Sequence, residues 1–153
     1  MADKRGEILR YESQGELHRD FHASTMDGIR YMLDNYGEDA LKEVIDATAK
    51  GVYRQMHEKL VAGDKRELVE YWKYYYLNRE HGDCTVEETA DGAILTVRLC
   101  PALAHLEKRG IAGGKVTCMA TKMLNAALCE GSPFEIVCEE TGDKSCRQIL
   151  RRK

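Results

Sequence analysis

One cysteine in this chain lies where helix geometry would activate it. Cys100 ends an apolar strand-like stretch, and Pro101 follows it directly. Proline is favoured at the first position of a helix, so Cys100 is expected to be the N-cap of a short helix over residues 101–109. At an N-cap the helix dipole and free N–H groups stabilise a thiolate and lower its pKa. Cys100 is therefore a candidate nucleophile or metal ligand, and the alternative is a small buried cysteine at a strand end.

Three further residues are candidates for a site around Cys100. His105 lies one turn into the same predicted helix, where an imidazole near a thiolate would serve as catalytic acid or base; a solvent-facing histidine is the alternative. Cys118 and Asn125 share the face of a second predicted helix, over residues 116–130, opposite its broad apolar face. Because cysteine is among the most buried residue types, either a second layer covers this face or the face lines a pocket.

The last part of the chain contains residue types that bind zinc. Glu135, Cys138 and Cys146 lie on a predicted hairpin with strands over residues 134–140 and 145–150. A two-residue turn at residues 142–143 would place the two cysteines on opposite faces, whereas a three- or five-residue loop would pair them directly. The spacing thus permits a zinc site only in some registers. His18 and His22, four residues apart on a predicted helix, have zinc-binding spacing too, although chance spacing is the alternative.

An aromatic run is the third feature with chemical potential. Residues 71–76 contain five aromatic side chains, which a helix would distribute over nearly its whole circumference. Such a helix is buried on several sides, meets a partner subunit, or lines an apolar cavity with tyrosine hydroxyls. Trp72 and Tyr75, together with His22 and Asn125, are the candidate substrate-binding residues. This helix has more apolar surface than one small sheet readily covers, and the excess favours a homodimer.

The elements that must position these residues follow from hydrophobic periodicity. Helical spacing predicts helices over residues 17–36, 38–62 and 65–78, with Gly37 and Gly63 as stops and Asp64 as an N-cap. Alternation predicts a hairpin of residues 85–88 and 93–99 around Asp91-Gly92, with Cys84 opposite Leu99 and facing the core. The order of helices, hairpin, two helices and hairpin predicts one α+β domain with an antiparallel sheet. Residues 1–15 are an expected polar arm, 16–80 a helical part and 82–152 a hairpin-helix-helix-hairpin part.

Composition excludes several classes of function. The 153 residues, of which 43% are hydrophobic and 32% charged, suit one globular domain. A net charge of −3 gives no reason to expect nucleic acid as a partner. No apolar run approaches the ~20 residues of a membrane span, and no signal peptide precedes the domain, so a cytoplasmic protein without membrane contact is expected. No nucleotide cofactor is expected, and the six cysteines are read as core residues, ligands or nucleophiles rather than disulfides.

Several short cysteine-centred motifs carry a family resemblance. They are Cys100-Pro101-Ala102-Leu103, Cys118, the run Glu130-Gly131-Ser132-Pro133-Phe134-Glu135, and Gly142-Asp143-Lys144-Ser145-Cys146. The pattern, over roughly residues 82–152, resembles the L-2-amino-thiazoline-4-carboxylic acid hydrolase family and is similar to the 4-vinyl reductase type of small-molecule-binding domain. The first likeness implies hydrolytic opening of a small sulfur- and nitrogen-containing ring, with Cys100, Cys118 and Cys146 in the site. The second implies an α+β ligand pocket, in some relatives with zinc held by residues matching Glu135, Cys138 and Cys146.

Two functions of different classes follow. The first is a hydrolase that opens a C–N or C–S bond of a small cyclic compound, with Cys100 as thiolate, His105 as acid or base, and Cys118 and Asn125 in the pocket. The second is a non-catalytic module that binds an aromatic or hydrocarbon ligand near the aromatic run and carries a structural zinc. A redox role for the thiols is a third option, although no Cys-x-x-Cys motif occurs.

Overall fold

The fold was obtained as a computed structural model that describes residues 12–13, 16–17, 20–80 and 82–153. Most of the expected arm over residues 1–15, together with His18 and His81, lies outside these ranges. Within them, no helix is both long and apolar enough to span a membrane. The predicted α+β class, with N-terminal helices and an antiparallel sheet, is confirmed.

Helices come first in the chain and are followed by two β-hairpins with two helices between them. The elements are β1 (Glu12–Ser13), β2 (Glu16–Leu17), α1 (Asp20–Tyr36), α2 (Glu38–Gly51), α3 (Arg54–Val61), α4 (Arg66–Trp72), a π-helical segment (Lys73–Arg79), β3 (Asp83–Glu88), β4 (Ala93–Leu99), α5 (Pro101–Lys108), α6 (Lys115–Cys129), β5 (Phe134–Gly142) and β6 (Ser145–Arg152). The main sheet has the order β3-β4-β6-β5, with every neighbouring pair antiparallel. Strand β6 therefore lies between its hairpin partner and the first hairpin.

Two helix predictions need correction. The helix expected over residues 38–62 is two helices, because α2 ends at Gly51, a poor helix former, and α3 begins at Arg54. The helix expected to end near residue 78 is α-helical only to Trp72 and continues as a π-helix. Asp64 lies one residue before the N-cap, Lys65, and its carboxylate accepts a hydrogen bond from the backbone N–H of Arg66 at 3.0 Å.

The register of the first hairpin also differs from its prediction. Cys84 pairs with Val97 rather than Leu99, since four residues, 89–92, connect the strands and Thr89 N–H donates to Gly92 O at 3.1 Å. A shift of two residues keeps each side chain on its expected face of the sheet. Cys84 is accordingly buried in the core, as predicted.

The core joins one face of the main sheet to the helices. Leu95 and Val97 of β4, Leu150 of β6 and Phe134 of β5 are buried there against α2, α3, α4 and α6. Helix α6 packs on the sheet on one side and on α1, α2 and α3 on the other. Both faces of this helix are therefore covered by a layer of the protein. The cavities described next lie beside α6, and Cys118 and Asn125 are among their lining residues.

Candidate functional site

Four of the six cysteines line one small cavity at the junction of α5, α6 and the main sheet. The cavity measures about 70 Å³ and is called the thiol cavity here. The cysteines come from the start of α5, from α6 and from both strands of the last hairpin. They are Cys100, Cys118, Cys138 and Cys146. Lys115, Lys122 and Glu140 add charged groups to its lining.

Cys100 has the backbone position that the sequence predicts. It is the N-cap of α5 with φ −67° and ψ 117°, and Pro101 occupies the first helical position. Its own N–H donates to Lys144 O at 2.6 Å, which ties the cap to the turn of the last hairpin. The backbone N–H groups of Ala102 and Leu103 stabilise its thiolate, but burial has the larger effect and raises the pKa of Cys100. The expected lowering of this pKa is therefore wrong, because desolvation outweighs the helix terminus.

Burial also favours the protonated form of two other thiols of the cavity, those of Cys146 and Cys138. Burial, followed by the neighbouring thiols of Cys100, Cys138 and Cys118, raises the pKa of Cys146 to about 11. Burial likewise raises the pKa of Cys138, against an opposing hydrogen bond from Asn125 and the charge of Lys122. Cys100, Cys138 and Cys146 thus present neutral, polarisable sulfur atoms to the cavity at neutral pH.

A larger cavity lies beside α6, among the helices. It measures about 570 Å³ and is called the helical cavity here. Side chains of α1, α2, α4, the π-helical segment and α6 line it, and most are apolar or aromatic. His22, Trp72, Tyr75 and Asn125, the four residues predicted to bind substrate, are all among them. Their predicted role stays a prediction, but the structure does bring the four together.

A buried acid–base pair lies at one end of the helical cavity. His22 Nε2 is 2.8 Å from Glu80 Oε1, and the two side chains are 6% and 0% exposed. The His105 ring centroid on α5 is 6.1 Å from that of His22. The charge of Glu80 acts on Tyr75, whose pKa is raised mainly by burial, and it also contributes to the raised pKa of Cys100. The Glu80 charge thus acts on one lining residue of each cavity.

Two buried amides connect the cavities. Asn125 Nδ2 donates to Gln148 Oε1 at 2.8 Å and to Cys138 Sγ at 3.3 Å. Gln148 Nε2 in turn lies 3.4 Å from the hydroxyl of Tyr76. Tyr76 and Gln148 line both cavities, so they form part of a shared wall.

The zinc set predicted from spacing does not converge. In the last hairpin Glu140 pairs with Cys146 and Cys138 with Gln148, which places both cysteines on the face that lines the thiol cavity. Glu135 is an odd number of residues from Cys138 and lies on the other face, where its carboxylate accepts from Arg151 Nε at 2.8 Å. Across the described ranges no three His, Cys, Asp or Glu side chains are grouped so as to hold a metal ion.

The sequence did not indicate every residue near the two cavities, and one predicted residue, His105, lies outside the lining of the thiol cavity. Glu80, Tyr76 and Gln148 were not singled out from the sequence; only Tyr76 carried a signal, as part of the aromatic run. His105 lies near His22 and is not among the described residues that line the thiol cavity. No protein-family model, curated protein or solved structure matches this chain.

Proposed function

We propose that this protein is a hydrolase that opens a C–N or C–S bond of a small sulfur- and nitrogen-containing heterocycle in the thiol cavity. One observation carries the proposal. Cys100, Cys118 and Cys146, the three residues that the family resemblance names, come from separate elements and line the same cavity. A volume of about 70 Å³ suits a small five-membered ring.

The proposed chemistry begins at Cys100. The backbone N–H groups of Ala102 and Leu103 stabilise its sulfur as negative charge develops there. The sulfur adds to the ring carbon between the two heteroatoms, the C=N π electrons move to the ring nitrogen, and that nitrogen takes the Cys100 proton. The ring C–N or C–S bond then breaks, its electron pair stays on the leaving heteroatom, and that atom takes one proton of a water molecule. The oxygen of this water bonds to the carbon as the Cys100 sulfur leaves, and the second proton of the water regenerates the thiol.

Raised thiol pKa values are compatible with this role. At neutral pH a protonated Cys100 awaits substrate, and the N–H groups at the start of α5 act on the thiolate as it forms. Cys118 and Cys146 supply soft sulfur contacts for a sulfur-containing ring. Among the described residues, the charged groups that line this cavity are Lys115, Lys122 and Glu140.

Two single cysteine variants, Cys100→Ala and Cys129→Ala, test this proposal. Turnover of 2-aminothiazoline-4-carboxylate and of unsubstituted thiazoline is followed by the mass gain of one water in the product. Cys100→Ala is expected to abolish turnover with the circular dichroism spectrum unchanged. Cys129→Ala is the matched control, since Cys129 is buried outside the thiol cavity. Unchanged turnover in Cys100→Ala would remove Cys100 from the mechanism.

The helical cavity favours a second candidate, ligand binding without catalysis. Its volume of about 570 Å³ lies within the range of pockets for drug-sized molecules, and its lining is mostly apolar and aromatic. An aromatic or hydrocarbon ligand would fill it, as proposed for the second function above. Trp72, the single tryptophan of the chain, lines this cavity and reports occupancy by its fluorescence. Binding with no product from any thiazoline would favour this candidate.

A further inference from the structure

The two cavities share a wall rather than lying apart. Four residues line both of them: Tyr76, Thr117, Thr121 and Gln148. Thr117 Oγ1 donates to Gly114 O at 2.6 Å and Thr121 Oγ1 to Thr117 O at 2.9 Å. Because both hydroxyls are satisfied by the backbone of α6, the threonines contribute little unsatisfied polarity to the wall.

The other two residues of the wall, Tyr76 and Gln148, are joined to each other by one weak contact. Gln148 is anchored on one side by the 2.8 Å hydrogen bond from Asn125, but its link to the Tyr76 hydroxyl is 3.4 Å long. A donor–acceptor distance of this length is near the limit of a hydrogen bond. A bound molecule that passes between Tyr76 and Gln148 would therefore displace little interaction energy.

The linings of the two cavities differ in charge. Lys115, Lys122 and Glu140 contribute to the thiol cavity. No lysine, arginine, aspartate or glutamate lines the helical cavity among the described residues, and its one ionisable imidazole, that of His22, is paired with Glu80. Burying an unpaired charge in such a place is costly. The helical cavity is thus built for an uncharged, apolar group.

We infer that the helical cavity is the specificity compartment of the thiol-cavity site. The substrate class is then a sulfur- and nitrogen-containing heterocycle that carries an uncharged aromatic or alkyl substituent. The ring occupies the thiol cavity, and the substituent passes the wall at Tyr76 and Gln148 into the helical cavity. This inference rests on the proposed function, but it concerns binding and is tested without turnover.

Binding to a protein that lacks the proposed nucleophile separates the two claims. Unsubstituted thiazoline and a phenyl-substituted thiazoline are titrated into the Cys100→Ala protein, with Trp72 fluorescence and calorimetry as readouts. Ala120→Phe fills the helical cavity from α6, and Ala126→Phe places the same side chain at an exposed position of that helix. The phenyl probe is expected to bind about ten-fold tighter or more than the unsubstituted one. Ala120→Phe should abolish this preference, and Ala126→Phe should retain it.

Each outcome decides one claim. Equal affinity for the two probes, or a preference that survives Ala120→Phe, would overturn the inference and leave ring opening untouched. To guard against misfolding of Ala120→Phe, the smaller Ala120→Leu should reduce the preference partially in the same assay. A preference for the phenyl probe in a protein whose turnover does not depend on Cys100 would support the helical cavity as a binding site while overturning the proposed chemistry.

Discussion

The Nε2 atom of His22 lies 2.8 Å from the Oε1 atom of Glu80, with both side chains withdrawn from solvent. The pair joins α1 to the end of the π-helical segment, directly before the first strand of the main sheet. Burying a carboxylate costs several kcal/mol unless a partner compensates it. The helical layer and the sheet are therefore coupled by a contact in which each partner depends on the other.

Glu80→Gln is expected to destabilise the protein. The amide is nearly isosteric, but it removes the negative charge that faces His22, and breaking a buried pair typically costs about 3–5 kcal/mol. The free energy of unfolding from urea titrations, followed by Trp72 fluorescence, measures the loss. Glu87→Gln, the same change at an exposed position of β3, should alter stability by less than about 0.5 kcal/mol.

A double-mutant cycle tests whether the two residues act as a pair. His22→Gln with Glu80→Gln leaves two neutral groups that can hydrogen-bond, so the double variant should be less destabilised than the sum of the single variants by about 1–3 kcal/mol. Additive effects would mean that each residue is stabilised by other contacts. The proposed coupling between α1 and the π-helical segment would then be wrong.

Most elements of the fold could be predicted because they depend on local chemistry. Periodicity placed α1, α5, α6 and both hairpins within a few residues of their bounds, and Pro101 fixed the start of α5. Gly37, with φ 86°, ends α1 because that conformation favours glycine. The break after Gly51 and the π-helix from Lys73 escaped prediction, since the hydrophobic spacing used to predict helices continues through both.

The candidate site was only partly predictable for a related reason. Cys100, Cys118 and Cys146 could be selected by type and by resemblance, and the structure brings them to one cavity. The direction in which the pKa of Cys100 shifts could not be predicted, because it depends on burial of the thiol by other elements. Glu80 could not be selected either, since a single glutamate after a helix gives no indication that His22 will meet it.

The core of the main sheet provides a second prediction. Leu95 of β4 is fully buried, whereas Leu99 at the end of the same strand is 45% exposed. Leu95→Ala should reduce the free energy of unfolding by about 2–5 kcal/mol through lost burial and the cavity left behind. Leu99→Ala, the matched control, should cost less than about 1 kcal/mol. Equal losses measured by urea unfolding would contradict the burial of Leu95 and the exposure of Leu99 at the end of the strand.

The turn of the first hairpin provides a third prediction. A Cβ at Gly92 would collide with the carbonyl oxygen of Leu150 on β6, whereas a Cβ at Gly28 in α1 would meet nothing within 4 Å. Gly92→Ala should therefore destabilise the protein by more than about 1 kcal/mol, because the backbone must move. Gly28→Ala should instead stabilise it by about 0.5–1 kcal/mol, as expected for alanine in a helix. The midpoint temperature of thermal unfolding should fall for Gly92→Ala and rise for Gly28→Ala.

The thiols predict a loss of stability at alkaline pH. Burial raises the pKa of Cys84, Cys129 and Cys146 from an ordinary value of 9.0 to about 11. Between these values the folded protein holds protons that the unfolded chain has released, so the free energy of unfolding falls as pH rises. The contribution is complete below pH 9 and is lost as pH rises toward 11. The urea concentration at the midpoint of unfolding, determined under reducing conditions at ~pH 8 and ~pH 10, measures this fall in stability.

A variant of Cys129 tests whether this thiol contributes to the loss of stability at alkaline pH. Cys129→Val removes one buried thiol while keeping an apolar side chain of similar size, so the fall in stability between ~pH 8 and ~pH 10 should become smaller. Buried tyrosines also titrate with raised pKa values in alkali and are unchanged in this variant. An identical pH dependence in the variant would show that Cys129 does not contribute.

The amide pair behind the shared wall gives the last prediction. Asn125→Leu removes the hydrogen bond to Gln148 Oε1 and leaves that buried oxygen without it, which should cost about 1–3 kcal/mol. Asn125→Leu combined with Gln148→Leu removes both partners, and the double variant should recover much of this loss because no buried amide remains to be satisfied. Loss of the Asn125 hydrogen bond should also raise the pKa of Cys138 further and slow its alkylation. A single variant as stable as the parent would mean that the wall does not depend on this pair.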